Sequence, residues 1–287
     1  MRPVLAVIGG SGLYAMSELE QVEQVAVETP YGPPSDSITR GKLRDFTVLF
    51  LPRHGRGHRH APHAINYRAN VCALRQLGAT HVVSISAVGS LRESIAPGDV
   101  VVVDQYIDRT TRRVSTFFDS DVVAHVGMAE PVCPQLSRAA ASAAQKAGAT
   151  VHFKGTYVCI DGPQFSTRAE SLLYRSWNAD VVGMTALPEA KLAREACLAY
   201  STVALVTDYD CWHETEANVS VELVLEVLGR NVALAQRIVS ELARSIEPDM
   251  PNSAATALNH AIITDLAAVP AERRRMFDWL VSQRPSP

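Results

Sequence analysis

The sequence near the start of the chain is Val4-Leu5-Ala6-Val7-Ile8-Gly9-Gly10-Ser11-Gly12. Its five consecutive apolar residues predict a strand that is buried on both faces, as in a parallel sheet. The three glycines that follow allow a tight turn with little side chain in the way. Backbone N–H groups in such a turn can form a concave anion site, and the Ser11 hydroxyl adds a donor. The stretch therefore predicts a strand that ends in half of a phosphate site.

The same loop also fits a dinucleotide-binding pattern. Gly10-Ser11-Gly12-Leu13-Tyr14-Ala15 satisfies G-x-G-x-x-A. Glu28 follows Val25-Ala26-Val27, about where an acid that binds ribose is expected. The segment 16–24 between them is short for a crossover helix. The loop alone leaves three interpretations open, namely a phosphate cradle, a dinucleotide loop and a plain tight turn.

Strand-like and helical segments alternate along the chain. We predict strands at residues 4–8, 46–51, 80–86, 99–103, 155–160, 180–184 and 200–207, and helices at 66–77, 135–146, 167–177, 189–197 and 219–246. This order predicts an α/β fold: one three-layer domain over residues 1–246, with a central, mostly parallel, twisted sheet flanked by helices. Residues 247–287 are predicted to form a C-terminal tail with helices at 257–266 and 270–283, either an appendage or a subunit contact.

Composition narrows the class of protein. The chain has 287 residues, of which 47% are hydrophobic, enough for a sizeable core. Its net charge of −3 argues against general nucleic-acid binding. Five scattered cysteines without a C-x-x-C pair indicate reduced thiols. Because the sequence shows neither a signal pattern nor an apolar run of membrane-spanning length, we expect a cytoplasmic protein without a membrane partner.

Polar side chains that suit a phosphate group follow several of the predicted strands. Arg53 offers a planar fork of donors, and His54 lies beside it. Ser86 and Thr185 supply hydroxyls after two further strands. Because ligands of open α/β sheets bind beyond the carboxyl ends of the strands, these groups and Ser11 predict one shared phosphate site.

A metal site is the alternative for the loop that follows Arg53. This loop contains His58, His60 and His63. Its glycines break helical spacing, and neither a cysteine nor a carboxylate lies nearby in sequence. We therefore expect no bound metal.

Asp208 and Asp210 follow the last predicted strand. Residues two apart in a strand point to the same side, so both carboxylates can approach one ligand. They can accept hydrogen bonds from a ring that carries N–H donors, such as adenine, and a protonated carboxyl can donate to N7 of a departing purine. The alternative interpretation is a solvated pair of loop acids.

Several long motifs occur in order between residue 5 and about residue 245. They are Ile8-Gly9-Gly10-Ser11-Gly12-Leu13, Thr29-Pro30-Tyr31-Gly32, Arg53-His54-Gly55-Arg56, Asn66-Tyr67-Arg68-Ala69-Asn70, Asp104-Gln105-Tyr106-Ile107-Asp108-Arg109-Thr110, Gly162-Pro163-Gln164-Phe165-Ser166-Thr167-Arg168-Ala169-Glu170 and Thr207-Asp208-Tyr209-Asp210-Cys211-Trp212. With these motifs the chain resembles the 5′-methylthioadenosine phosphorylase family of the purine nucleoside phosphorylase superfamily. The dinucleotide interpretation loses its support.

The resemblance implies a reaction and a set of site residues. Phosphate would attack C1′ of 5′-methylthioadenosine and give adenine and 5-methylthioribose 1-phosphate, in purine and methionine salvage, with no cofactor besides the co-substrate phosphate. It assigns phosphate binding to Ser11, Arg53, His54, Ser86, the Ala87 backbone and Thr185. It assigns nucleoside binding to Met184 at the ribose and to Phe165, Ser166, Asp208 and Asp210 at the purine, with Asp208 as the N7 donor.

The resemblance also implies a pocket and an assembly. Val221, Val224 and Leu225 would form the methylthio pocket, although Val224 and Leu225 fit the hydrophobic core equally well. His125 would come from a neighbouring subunit, which implies a homotrimer, with a homohexamer as the other assembly.

Other functions on the same fold stay open at this point. A 5′-methylthioinosine or general 6-oxopurine nucleoside phosphorylase is one alternative. The Asp208 and Asp210 pair favours a 6-aminopurine, because a carboxylate accepts from an amine and repels a 6-oxo group. A catalytically silent nucleoside-binding protein is an alternative of a different class, since fold does not fix function.

Overall fold

The structure, a computed structural model, describes residues 3–10, 12–13, 16–44, 46–214, 219–274 and 277–281, and for 221–230 and 281 the backbone alone. Its strands are β1 (Leu5–Gly9), β2 (Glu20–Val25), β3 (Ile38–Leu43), β4 (Phe46–Pro52), β5 (His81–Ser90), β6 (Val100–Val103), β7 (Gln105–Asp108), β8 (Val151–Phe153), β9 (Thr156–Cys159), β10 (Val181–Gly183) and β11 (Ala199–Asp208). Its α-helices are α1 (Tyr67–Gln76), α2 (Pro134–Lys146), α3 (Arg168–Ser176), α4 (Ala186–Glu195), α5 (Val221–Ser245), α6 (Ala271–Arg274) and α7 (Asp278–Val281).

All of these strands belong to one sheet. Its main path runs β2-β3-β4-β1-β5-β10-β9-β7, while β11 pairs with β5 and β6, and β6 with β8. Six of the ten strand pairings are parallel. The remaining four are antiparallel. The predicted α/β fold with a mostly parallel sheet is confirmed.

Helices cover both faces of the sheet. On one face α1 and α4 pack through residues such as Val71, Leu74 and Leu192. On the other face α2 and α5 pack through Leu136, Ile238 and other apolar residues. The core therefore has the predicted three layers, with the sheet in the middle.

Strand β5 is the centre of the sheet, and its neighbours change along its length. On one side β1 pairs with its first half, from Leu5↔His81 to Ile8↔Ser84. On the same side β10 joins only at its end, with Val182↔Gly89 and Val181↔Ser90. The opposite side pairs with β11 from His81 to Gly89. A crevice therefore opens beside residues 85–88, between the ends of β1 and β10.

Local sequence explains where several helices begin. The Asn66 side chain accepts from the Ala69 N–H and caps α1. Thr167 and Glu170 form a reciprocal capping box at the start of α3. Leu187 has extended backbone angles (φ −119°, ψ 137°), so the regular part of α4 begins at Pro188, as predicted.

The sequence analysis missed four strands. The hairpin of β2 and β3 lies at the sheet edge, and β2 exposes nearly all of its side chains. Such a strand is held by backbone pairing, so it lacks the apolar alternation by which strands are recognised. The strands β7 and β8 have only four and three residues, too few for a periodic pattern.

The C-terminal tail differs from the prediction. Residues 254–261 form successive turns, and the predicted helix at 257–266 is wrong. The second predicted helix is present as the short α6 and α7. Leu258, Val269 and Phe277 are buried in the same cluster as α1 and α4. The described tail is therefore part of the domain and not an appendage, because its apolar side chains complete the core.

Among the described residues, none of the helices combines the length and the apolar character that crossing a bilayer requires.

Candidate active site

The predicted site residues gather around the crevice beside β5. The Arg53 N–H donates to Gly9 O at 2.9 Å and joins the ends of β4 and β1. Ile85 O accepts from Arg53, whereas Val88 O accepts from Thr207 in β11. Because backbone groups alternate sides along a strand, the main chain of Ala87 faces the crevice together with that of Ile85. This placement agrees with the predicted role of the Ala87 backbone.

Arg53 forms a buried ion pair. Its side chain is 2% exposed, and Nε and Nη2 bond to the Glu189 carboxylate at 2.9 and 3.1 Å. Nη2 also approaches Ser84 Oγ and Ile8 O, and Nη1 donates to Ile85 O. Burial alone would lower the pKa of Arg53, but the charge and hydrogen bonds of Glu189 outweigh it and raise the pKa well above its usual value.

This pairing limits what Arg53 can offer to phosphate. Among the described residues, one of the five guanidinium N–H groups, on Nη1, remains without an acceptor. The sequence predicts a free fork of donors at this position. In the structure most of that fork is occupied by Glu189 and by main-chain carbonyls, so Arg53 can contribute a charge and at most one N–H.

The His54 ring is held by its own loop. Its Nδ1 lies 2.8 Å from His60 O, and the ring stacks on His58 with centroids 4.1 Å apart. Because a carbonyl only accepts, Nδ1 carries the ring proton, which leaves Nε2 as an acceptor in the neutral ring. Burial, with the Arg53 charge adding to it, lowers the pKa of His54 to about 4. The ring donor expected from the sequence is therefore already used at neutral pH.

Ser86 and Thr185 lie together, as predicted. Both residues are buried, and their hydroxyl oxygens are 3.1 Å apart. A third hydroxyl, that of Tyr157, lies 3.3 Å from Ser86 Oγ and 3.4 Å from the Thr185 N atom. The crevice therefore contains a compact group of hydroxyls from β5, β9 and the start of α4.

Asp208 and Asp210 form a buried pair at the end of β11. One carboxyl oxygen of Asp208 accepts from the Asp210 N–H at 2.7 Å, and the other accepts from Thr207 Oγ1 at 2.6 Å. Gly89 makes this approach feasible, because a Cβ there would lie 2.8 Å from Asp208 Oδ1. These acids are 3% and 4% exposed. They are not the solvated loop acids of the alternative interpretation.

Burial dominates the acidity of this pair. It raises the pKa of Asp208 above its usual value. It raises the pKa of Asp210 to about 6, with the Asp208 charge adding to the effect and the nearby Ser171 hydroxyl opposing it. Two buried carboxyl groups with raised pKa values, packed against Gly89 near the end of β5, mark a candidate site for proton transfer.

The loop after β9 closes the other side of the site. Cys211 Sγ donates to Ser166 O at 3.2 Å and holds this loop against the Asp210 turn. Phe165 is 38% exposed, and Met184 is partly buried against Gly162. Ser166 Oγ and Ser171 Oγ are buried, and both hydroxyls lie close enough to Asp210 to oppose the rise in the pKa of its carboxyl. The structure thus brings Ser166, one of the predicted purine-side residues, to the Asp210 turn.

The structure does not bring His125 to this site within one chain. His125 is exposed on a strap, residues 122–126, and its N–H donates to Ala261 O of the tail at 2.9 Å. Four further predicted residues are not tested: Ser11 lies outside the described residues, and the side chains of Val221, Val224 and Leu225 are not described.

The histidine loop does not form a metal site in the described structure. His58 is stacked on His54, and His60 Nε2 faces Ser35 O at 3.2 Å. Within the described ranges, no group of three His, Cys, Asp or Glu side chains is placed to hold a metal ion.

Sequence reasoning missed three residues that shape the crevice. Glu189 neutralises Arg53, and Tyr157 supplies the third hydroxyl. Arg113 donates to Leu187 O, Ile160 O and Asp161 O, and so ties three loops together. Glu189 follows Thr185 closely in sequence, which is a usable signal, whereas Tyr157 stands in an apolar strand and resembles an ordinary core residue.

Comparison with known proteins decides the family. The phosphorylase superfamily profile matches residues 4–244. An S-methyl-5′-thioadenosine phosphorylase from Geobacter sulfurreducens is 52% identical over 282 residues, 98% of this chain and 99% of its own. The chain belongs to the S-methyl-5′-thioadenosine phosphorylase family of this superfamily. Another family member, from Thermofilum pendens, is 48% identical over 90% of this chain and 98% of its own.

Solved structures of the family have the same fold. A methylthioadenosine phosphorylase from an Antarctic soil metagenomic library is 49% identical and superimposes with a TM-score of 0.93, covering 98% of this chain and 99% of its own. A methylthioadenosine phosphorylase from Schistosoma mansoni in complex with adenine is 38% identical, with a TM-score of 0.81 over 85% and 91% of the two chains. The resemblance inferred from the sequence motifs is thus confirmed.

Proposed function

We propose that this chain catalyses the phosphorolysis of S-methyl-5′-thioadenosine to adenine and 5-methylthioribose 1-phosphate. The proposal rests on one observation above all. A buried hydroxyl pair, Ser86 and Thr185, and a buried acid pair, Asp208 and Asp210, both lie along the second half of β5: Ser86 is part of this strand, and the acids pack against Gly89, three residues further on. The former suits an anion, and the latter suits a 6-aminopurine. The names of the family members support the same substrate.

The reaction needs no protein nucleophile. Phosphate, held by Ser11, Ser86, Thr185 and the Ala87 main chain, attacks C1′ as the bond from C1′ to N9 breaks. Arg53 contributes positive charge, and neutral His54 accepts a hydrogen bond from a protonated phosphate oxygen. Holding both reactants in place contributes roughly 7–11 kcal/mol to lowering the barrier. The anionic phosphate also stabilises the positive character that develops on the sugar.

The leaving purine takes a proton at N7. Asp208 is our choice for the donor, because hydrogen bonds from Thr207 and Asp210 fix its carboxyl in orientation and burial favours its protonated form. The phosphate proton restores the acid, so the reaction as a whole consumes no proton. Asp210 then accepts from the exocyclic amine of adenine, with Ser166 beside it and Phe165 against the ring.

The remaining parts of the site complete the specificity. Met184 lies against the ribose, and Val221, Val224 and Leu225 form the methylthio pocket. No cofactor besides phosphate takes part, and neither nucleic acid nor a membrane is a partner. The cytoplasm is the proposed compartment.

We also propose a homotrimer in which His125 enters the site of a neighbouring subunit, with a homohexamer as the alternative. Two observations support a subunit interface. His125 is exposed on its strap, and α3 carries the apolar side chains Leu172 and Leu173 at 51% and 45% exposure, with Trp177 just beyond it at 39%.

The test is the release of free base, with and without phosphate, from methylthioadenosine, methylthioinosine, adenosine and inosine. We expect fast, phosphate-dependent release from methylthioadenosine. Release without phosphate would indicate a hydrolase, and a preference for methylthioinosine would refute the roles of Asp208 and Asp210. No release from any substrate would support the silent nucleoside-binding protein.

The choice of acid is tested with two matched variants, Asp208→Asn and Asp210→Asn. Loss of the N7 donor should lower kcat far more than it raises the KM for phosphate, by roughly 10²- to 10⁴-fold. We expect that pattern for Asp208→Asn. If it appears in Asp210→Asn alone, the two roles are exchanged.

A further inference from the structure

We propose that Tyr157 is a positioning residue of the phosphate site, which sets the direction of the hydroxyl protons of Ser86 and Thr185 so that both can be donated to phosphate. This inference rests on the proposed function, because it concerns the anion held by these two hydroxyls. Tyr157 itself is separated from the anion and acts through its neighbours.

The position of Tyr157 is the first argument. The residue lies in β9 with its side chain fully buried. Its phenol oxygen lies 3.3 Å from Ser86 Oγ and 3.4 Å from Thr185 N. These residues are 71 and 28 positions away in the sequence. Tyr157 is thus the one described side chain whose polar atom contacts both Ser86 and Thr185.

The donor and acceptor roles in this group follow from elementary chemistry. A backbone N–H can only donate, so the Tyr157 oxygen accepts from Thr185. The phenol also keeps its proton, because burial raises the pKa of Tyr157 to about 12. We assign this proton to Ser86 Oγ, because the other described polar contact of the phenol oxygen, the Thr185 N–H, can only donate. The chain of hydrogen bonds therefore runs from the Thr185 N–H through Tyr157 to Ser86.

This chain of hydrogen bonds gives the hydroxyl proton of Ser86 a defined direction. Because Ser86 Oγ accepts from Tyr157, its own proton points elsewhere. In the structure its acceptors are Thr185 Oγ1 at 3.1 Å and Ala87 O at 3.3 Å. A phosphate oxygen is a stronger acceptor than either, since hydrogen bonds to an anion are about twice as strong as neutral ones. Ser86 thus donates to phosphate, and the Thr185 hydroxyl is left to do the same.

The sequence provides the space that this arrangement needs. Gly183 lies beside the phenol group, and a Cβ on it would come within 2.7 Å of Tyr157 Cζ. The backbone of Gly183 does not have a positive φ, so the requirement for glycine is one of space. Tyr157 and Gly183 are therefore a matched pair.

The test compares Tyr157→Phe with Tyr106→Phe. Tyr106 lies in the neighbouring strand β7, its ring centroid is 6.1 Å from that of Tyr157, and its hydroxyl bonds to Thr202, away from Ser86 and Thr185. Tyr157→Phe keeps the ring and removes only the hydroxyl. We expect the KM for phosphate to rise about tenfold or more, because Ser86 and Thr185 protons without a fixed direction form weaker hydrogen bonds to the charged anion, with the KM for methylthioadenosine changed less than about twofold. Tyr106→Phe should leave both constants within about twofold.

Two further measurements separate positioning from mere stability. The rise in Tm that inorganic phosphate induces should shrink in Tyr157→Phe and persist in Tyr106→Phe. In a Ser86→Ala background, Tyr157→Phe should raise the KM for phosphate much less than it does in the wild-type enzyme, because the two residues act as a unit. A Tyr157→Phe enzyme that loses Tm and keeps its KM for phosphate would overturn the inference. A wild-type enzyme that releases adenine without phosphate would instead overturn the proposed function.

Discussion

The end of the Tyr157 ring occupies the space into which any side chain at position 183 would project. A Cβ on Gly183 would lie 2.7 Å from Tyr157 Cζ and 3.2 Å from Val88 Cγ1. Both neighbours belong to the walls of the crevice, and neither is the far end of a flexible side chain. The glycine therefore fixes how deeply the phenol can enter between β9, β10 and β5.

Gly183→Ala is expected to displace the Tyr157 hydroxyl. Overpacking of this kind costs about 1–3 kcal/mol of stability, and we expect an accompanying rise in the KM for phosphate. Thermal unfolding and steady-state kinetics measure the two effects. Gly127→Ala is the matched control, because a Cβ there meets no atom within 4 Å. An unchanged KM for phosphate in Gly183→Ala would show that Gly183 does not influence phosphate binding.

Glu189→Gln is expected to destabilise the protein strongly. The substitution leaves the Arg53 guanidinium, which is 2% exposed, without its counter-charge, and breaking a buried pair in this way costs about 3–5 kcal/mol. Denaturant unfolding measures the loss. Glu195→Gln on the same helix is the control, since Glu195 is buried and accepts from Thr116 and Phe117, and among the described residues no cation forms an ion pair with it. Equal losses in the two variants would argue against a special role for the ion pair.

The acid pair predicts a pH dependence of stability. Because the folded protein raises the pKa of Asp210 from 3.8 to about 6, it binds this proton more tightly than the unfolded chain does. The stabilisation that results is fully present below about pH 4 and is lost as the pH rises through about 6. Asp210→Asn lacks this loss, so its stability relative to wild type should increase by roughly 2 kcal/mol between pH 4.5 and 7.5.

Unfolding by denaturant at a series of pH values measures this difference. Asp265→Asn, in the exposed part of the tail, controls for the loss of a carboxylate as such. If Asp210→Asn and wild type change in parallel with pH, the carboxyl is not the titrating group.

The tail should be required for the order of the strap that carries His125. Phe277 stacks on Phe118 with centroids 5.6 Å apart, and Ala124 pairs with Ile262. Phe277→Ala should lower the free energy of unfolding by about 3 kcal/mol. It should also speed the hydrogen exchange of the His125 amide, which donates to Ala261 O. Ile263→Ala, at a side chain that is 66% exposed, should change neither quantity. Unaltered exchange in Phe277→Ala would show that the strap is held by other contacts.

Much of the fold could be predicted because its strands are buried on both faces. The strands β1 and β6 are continuous apolar runs, β5 and β11 are buried and contain apolar runs with a few Ser and Thr residues between them, and the helices between the strands carry clear stripes or caps. The hairpin of β2 and β3 could not be predicted, because its stability comes from backbone pairing at an edge. The tail was misassigned because its apolar spacing fits a helix, while its burial against the strap favours turns.

The residues of the candidate site also fall into those that the sequence could predict and those that it could not. Arg53, Ser86, Thr185 and the two aspartates could be singled out from their places after strands, and the structure places Arg53, Ser86 and both acids along the second half of β5, with Thr185 in contact with Ser86. The residues that contact them, Glu189 and Tyr157, could not be predicted. Glu189 lies 136 residues from Arg53, and no local pattern reveals that the fork of donors is already engaged. Tyr157 has the surroundings of a core residue in sequence, and only the packing of β9 beside β10 brings its hydroxyl to the site.

The gap between β1 and β10 along β5 has a consequence for the protein without a bound ligand. Among the described residues, no strand pairs with residues 85–88 on one side of β5, and the main chain of Ala87 faces that gap. In the proposed site, a phosphate or nucleoside bound there would take the place of a neighbouring strand. Binding of the ligand would then also connect β1, β5 and β10 into a continuous layer. Slower hydrogen exchange at the Ala87 amide would report both.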